Sequence, residues 1–267
     1  MGADIKKLRT RIKSVNSTLH LTKAMGLVAS SKIRRANEAM NRGNQYARAV
    51  REAAAQLTSC SECVKSPYMV QRDSGRLRLV VIAGDRGLAG GYNANIFRIV
   101  REYSDAEITA IGKYACDRYG GDYRSAENFS YADAKEIADS VCTDFADGKF
   151  DRLGIVCTRY ISMMSQEAYI KWVLPLEKNE KAGTGGIVFE PDEITVLNAM
   201  IPEYVAGILV ACAKESFACE VAARRVAMDS AGKNAQEMLD DLGLAYNRAR
   251  PGAITQEITE IVAGSGL

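Results

Sequence analysis

From Ile5 to Leu57 the chain holds one heptad register without a skip. Ile5, Leu8, Ile12, Val15, Leu19, Thr22, Gly26, Ala29, Ile33, Ala36, Met40, Gly43, Ala47, Val50, Ala54 and Leu57 are separated by alternating steps of three and four. That spacing is the seam of a coiled coil. No proline precedes Pro67, so the register predicts one helix over residues 3–58, roughly 80 Å long. A globular core has no use for such a helix, which therefore requires a partner helix. Thr22, Gly26 and Ala29 are small, so the partner can come close there. The C-terminal end supplies one. From Pro202, a favoured helix-start residue, helical spacing returns, and Met228, Ala231, Ala235, Met238, Leu242, Ala245 and Ala249 again alternate three and four.

Between these helices the period changes. Residues 59–76 read as a linker containing Ser, Pro and Gly. Short apolar runs follow. Strands are expected at 77–83, 106–111, 123–129, 153–158 and 167–174. Helices are expected at 93–103, 113–119 and 131–146, and a glycine-rich turn at Gly84–Gly91. Strands alternating with helices imply a mostly parallel α/β sheet over residues 77–190. Gly183–Gly186 reads as a flexible loop, and 191–201 as a connection to the helix of 202–267. The expected fold class is therefore α/β, with the two terminal helices forming an antiparallel coiled coil that projects from the α/β domain.

Charge is unevenly placed. The chain carries a net charge of only +2. Residues 1–57 nevertheless hold twelve Lys/Arg against Asp4, Glu38 and Glu52, so the remainder is net acidic. A long helix with a basic outer face calls for an anionic partner: nucleic acid, anionic lipid or an acidic protein surface. No uninterrupted run of eighteen apolar residues occurs, so no direct membrane span is expected. The N-terminus has charges at Asp4, Lys6, Lys7 and Arg9 and no apolar core, unlike a secretory signal. Seven cysteines in a chain this large suggest free thiols in a reducing compartment. Cys60 and Cys63 form a C-x-x-C after a helix, whereas a redox motif would follow a strand and open a helix. His20 is the only histidine, and it reads as an exposed polar position.

Catalytic chemistry is not legible. The Gly84–Gly91 turn lies between a strand and a helix, where a phosphate loop would sit. Its glycines are spaced G-x-x-G-x-x-G-G rather than G-x-G-x-x-G, and it lacks G-K-[ST]. The better reading is a tight structural turn in which Gly84, Gly87, Gly90 and Gly91 shape the backbone and Asp85 and Arg86 make contacts. No nucleophile–base pair or carboxylate pair is supported by spacing. No catalytic residue, metal ligand or cofactor is expected. A basic coiled-coil protein that binds nucleic acid, and a dinucleotide-dependent enzyme, are the competing classes. The first predicts binding that falls steeply with salt, and the glycine spacing argues against the second.

Several motifs converge on one family. Lys23–Lys32 (KAMGLVASSK), Gly84–Asn93 (GDRGLAGGYN), Ala222–Met228 (AARRVAM), Asn247–Arg250 (NRAR) and Thr255–Gly264 (TQEITEIVAG) resemble the gamma subunit of F-type ATP synthases. They stand in the family's order and spacing, across essentially the whole chain. The resemblance implies a Rossmann-like domain without a nucleotide and a coiled coil inserted in a ring of three alpha and three beta subunits. It implies a non-catalytic rotor shaft, bound to the epsilon subunit and to the c-ring of Fo. Ion flow through that ring would turn the shaft and drive ATP synthesis or hydrolysis at the beta subunits. The location implied is peripheral, on the cytoplasmic side of a bacterial cell membrane, with no nucleic acid among the partners. The ligands that choose proton or sodium would lie in other subunits.

The resemblance also implies contacts with the beta subunits. Met25 matches the position nearest the acidic beta-subunit lever, and Lys23, Lys32, Arg34 and Arg35 would add positive charge around it. Arg224 matches an arginine on the second helix in the same region. Gln256, Thr259 and Glu260 match positions that keep helices and ring in register. One departure is local: many relatives have Arg-Gln facing a beta-subunit catch loop, and here it is Arg250-Pro251. Pro251 cannot donate to the carbonyl of Asn247, so a bend or loosening is expected between Asn247 and Ala253. The helix should then resume at Ile254. A second departure is the lack of the inserted regulatory segment of plant and cyanobacterial relatives, so redox control of that type is not expected.

Overall fold

The computed structural model describes residues 2–72, 74–179 and 189–264. The chain divides into two units: Met1–Ser30 with Arg224–Leu267, and Ser31–Ala223. Two helices contribute to both. Helix α1 is Gly2–Leu57 and helix α5 is Glu193–Gly264.

In the first unit, α1 and α5 run antiparallel. Arg9 Nη2 donates to the Tyr246 hydroxyl at 3.0 Å, and Arg225 Nη1 donates to the Gly26 carbonyl at 3.0 Å. Val15, Leu19 and Ala235 are buried, with Leu239 and Leu242 packed against them. All heptad positions named for α1 are buried or half-buried. The α5 register needs correction. Met238 is 42% exposed and Ala245 is exposed, whereas Gly232, Leu239 and Tyr246 are half-buried. The seam is Met228, Gly232, Ala235, Leu239, Leu242, Tyr246 and Ala249. This set also alternates four and three, so spacing alone left the choice open.

The second unit is built on a four-stranded sheet of order β2-β1-β3-β4. The strands are β1 (Leu77–Ile82), β2 (Glu107–Ile111), β3 (Arg152–Tyr160) and β4 (Gln166–Leu174). The first three are mutually parallel, with Leu79 opposite Ile108 and Val80 opposite Ile155. Strand β4 returns antiparallel along β3. Helices α2 (Tyr92–Val100), α3 (Lys113–Tyr119) and α4 (Tyr131–Ala146) complete the unit. Strand alternation sorts the core into two layers. Leu79 and Val81 pack with Ile96, Phe97 and Ala115. Val80 and Ile82 pack with Ile137, Val141, Phe145 and the Leu197–Ala213 stretch of α5. Ala47 and Leu57 of α1 join this second layer.

Several sequence boundaries move. The C-terminal helix begins at Glu193, not at Pro202. Its cap is Asp192, which accepts from the Thr195 N–H and hydroxyl at 2.9 and 2.8 Å. Pro202 lies inside the helix. Residues 59–76 are not a loose linker: a 3-10 turn spans Glu62–Lys65, and Cys63, Ser66, Tyr68 and Met69 are buried. No strand forms over 123–129; that stretch is bends and turns. The compact units divide in sequence at 30/31 and 223/224, and Ala47, Leu57 and the Leu197–Ala213 stretch of the long helices belong to the sheet unit's core. The Gly183–Gly186 loop lies outside the described residues.

An eighteen-residue window of α5, within Glu193–Gly252, reaches a mean hydropathy of 1.7, enough by composition to cross a membrane. Of that window 56% is buried inside the protein, as expected of a core helix.

Candidate functional site

The glycine turn is shaped by close approaches. At Gly84 an added Cβ would lie 2.9 Å from the carboxyl carbon of Glu220, a residue only 1% exposed. At Gly87 it would meet the Tyr114 hydroxyl at 2.7 Å. Gly90 has φ +58, a left-handed conformation in which glycine carries no Cβ penalty, and Leu88 shares it at φ 61. Gly91 then caps α2.

Asp85 occupies the place of an anion. Its Oδ1 accepts from the Lys113 N–H at 3.1 Å and the Tyr123 hydroxyl at 3.2 Å. Its Oδ2 accepts from the Ser125 hydroxyl at 2.8 Å and the Glu127 N–H at 2.9 Å. Burial alone would raise this carboxyl, but the donors outweigh it and hold the group below the ordinary carboxylate value. The N–H groups that a phosphate would use at the start of α3 and in the 125–127 loop are thus committed to a side chain. This also explains why 123–129 makes no strand: its polar groups are drawn to Asp85. Arg86 Nη2 lies 3.3 Å from Glu127 Oε2, and Lys32 pairs with the other oxygen of the same carboxylate. The turn is a structural knot that ties α1 to the sheet.

The basic residues fall into three states. Lys23, Arg34, Arg35 and Arg250 are exposed, and Arg34 reaches Glu38 only loosely, at 3.8 Å. Met25 is half-buried. Lys32 is half-buried and paired with Glu127. Arg224 is only 9% exposed. Thr259 is exposed, and its hydroxyl donates to the Thr255 carbonyl at 2.8 Å. The side chains of Gln256 and Glu260 lie outside the described residues. The Glu127 partnership could not be read from the sequence, because 95 residues separate it from Lys32.

Helix α5 continues without interruption through Pro251 and Gly252 to Gly264. No break in the helix therefore occurs over 247–253. A proline removes one helical hydrogen bond, and the neighbouring bonds carry the helix on. Both residues are exposed, so water can serve the Asn247 carbonyl.

All seven cysteines are unbridged. Cys60 and Cys63 are buried, and burial pushes the Cys63 thiol up to about 11, away from the thiolate that redox chemistry needs.

A family model described as ATP synthase matches residues 4–266. The ATP synthase gamma chain of Ruminococcus albus is 40% identical over 281 residues, covering 98% of each chain. The chain belongs to the ATP synthase gamma-chain family. A second relative, the sodium ion specific ATP synthase gamma chain of Acetobacterium woodii, is 34% identical and covers 99% of each chain. Among solved structures, a chain of the Euglena gracilis mitochondrial ATP synthase aligns over 100% of this chain and 97% of its own. Its TM-score is 0.66 at 20% identity. A chain from the central stalk and c-ring of the Tetrahymena thermophila enzyme covers 79% of this chain and 99% of its own, with TM-score 0.64 at 23% identity. Both solved structures share the fold of this chain.

Proposed function

We propose that this chain is the central-stalk rotor of an F1Fo ATP synthase, a non-catalytic subunit that couples ion flow to ATP synthesis or hydrolysis. The observation that carries this reading is the antiparallel pairing of the two terminal helices, closed at Gly26 and Arg225, in a member of the gamma-chain family. The paired helices turn inside a ring of alpha and beta subunits. The sheet unit stands on the c-ring and binds the epsilon subunit. The complex is peripheral, on the cytoplasmic face of the membrane.

The physical requirement is stiffness. One charge crossing about 100 mV releases about 2.3 kcal/mol, so several crossings must be accumulated and delivered to a distant site. Coupling between separate sites then depends on a body with defined rotary positions. In this reading Lys23, Met25, Arg34 and Arg35 face acidic lever surfaces of the beta subunits, and Arg250 faces a catch loop. Lys32 and Arg224 act from within the chain, holding the geometry of their neighbours. Thr259, Gln256 and Glu260 lie in the tip that the ring surrounds. The coupling ion is selected by the c-ring.

The test is recovery of the tagged full chain from membranes. Stoichiometric alpha and beta subunits, with ATP-driven ion pumping in inverted vesicles, are expected. Recovery of the chain alone, or with nucleic acid released steeply by salt, would overturn the reading.

A further inference from the structure

A cavity of about 620 Å³ opens within the sheet unit, away from the glycine turn. Its lining includes Arg51, Arg72, Arg152 and Lys178, with Glu177 the only carboxylate among the described lining residues. These cations come from α1, the segment before β1, the start of β3 and the segment after β4. The fold brings together residues that sequence keeps far apart.

Three of the four cations are held by contacts to groups other than carboxylates. Arg51 Nε donates to the Ala47 carbonyl at 3.1 Å. Arg72 Nη1 donates to the Phe145 and Phe150 carbonyls at 2.6 and 3.4 Å, and its guanidinium lies 4.8 Å from the Phe145 ring centre. Arg152 stacks at 4.0 Å over Trp172. None of the four makes an ion pair among the described residues. Carbonyl and ring contacts orient the three guanidinium groups, and one carboxylate stands against four cations in the described lining. Convergent like charge is unfavourable, and it is tolerated where a polyanion neutralises it.

We propose that this cavity binds a phosphoryl oxyanion, carried either by a free phosphate compound or by a lipid headgroup. Guanidinium forks match phosphoryl oxygens in pairs, and four cations exceed what one carboxylate would neutralise. The volume lies in the range of small-ligand sites, larger than inorganic phosphate alone requires. The inference does not depend on the rotor reading, because all of its residues lie within one unit of this chain.

Trp172 is the only tryptophan of the chain and lines the cavity, so it reports binding directly. The full chain is titrated with pyrophosphate, with ATP, and with phosphatidylglycerol vesicles against phosphatidylcholine vesicles. Fluorescence and calorimetry are read in parallel. Saturable binding is expected, and it should weaken about tenfold or more in Arg51→Gln/Lys178→Gln. Both residues are exposed, so folding should be retained. Arg42→Gln, an exposed cation outside the cavity, should bind like the parent. Saturation with the soluble compounds identifies a free phosphate source, and saturation with the anionic vesicles alone identifies a headgroup. The proposal is overturned by no saturable binding in either readout, by unchanged affinity in the double variant, or by an equal loss in Arg42→Gln.

Discussion

The Arg225 guanidinium donates to the backbone carbonyl of Gly26 at 3.0 Å, helix to helix. A Cβ at Gly26 would lie 3.4 Å from that guanidinium and 3.7 Å from the Met228 Cβ. The contact exists because residue 26 has no side chain.

Gly26 therefore separates two substitutions. Gly26→Ala fits with a slight shift of Arg225 and gains helix propensity, so it should be neutral or stabilising by up to about 1 kcal/mol. Gly26→Leu should wedge the pair apart at a cost of roughly 1–3 kcal/mol. Denaturant unfolding of both variants checks this. Equal stability of the two would argue against close packing at this point.

Asp85→Asn should destabilise the sheet unit by roughly 1–3 kcal/mol, because an amide serves fewer donors than the carboxylate. The same group predicts a pH dependence. Its folded pKa lies below the ordinary carboxylate value of 3.8, so its stabilisation is complete well above 3.8. It is lost as pH falls through 3.8 towards the lower folded value. Acid unfolding curves of parent and variant should converge in that range. A constant gap down to the lowest pH would refute the assignment.

Met25→Lys would add a cation beside Lys23, facing the proposed acidic lever. ATP hydrolysis should persist while ions pumped per ATP decrease, since an over-stable pair holds the shaft in some rotary positions. Inverted-vesicle pumping measured against hydrolysis decides it. An unchanged ratio would remove the lever contact from the proposal.

Pro251→Gln should leave the helix length unchanged, because α5 already runs through this point. It should add the missing donor to the Asn247 carbonyl, seen as slower hydrogen exchange around 247–251. If Arg250 faces the catch loop, one rotary dwell should lengthen in single-molecule rotation. Unaltered exchange would contradict the local account, and an unaltered dwell the contact.

Much of the fold was legible because it is set locally. The α1 register held at every named position, since one strict period over so many residues allows one buried stripe. Helices α3 and α4 fall at their expected bounds, α4 with a Ser130–Asp133 capping box readable from the sequence. Tertiary structure decided what local pattern left degenerate. On α5 two interleaved sets share Met228, Ala235, Leu242 and Ala249. Only packing against α1 selected Gly232, Leu239 and Tyr246. Pro202 looked like a start, but burial of Leu197 and Ile201 in the sheet's core draws the helix back to the Asp192 cap. The same holds for the sites. The basic outer face of α1 is a matter of counting residues. The pairing of Lys32 with Glu127, the burial of Arg224 and the gathering of Arg51, Arg72, Arg152 and Lys178 are not. Those depend on contacts between residues distant in the chain, which no local period encodes.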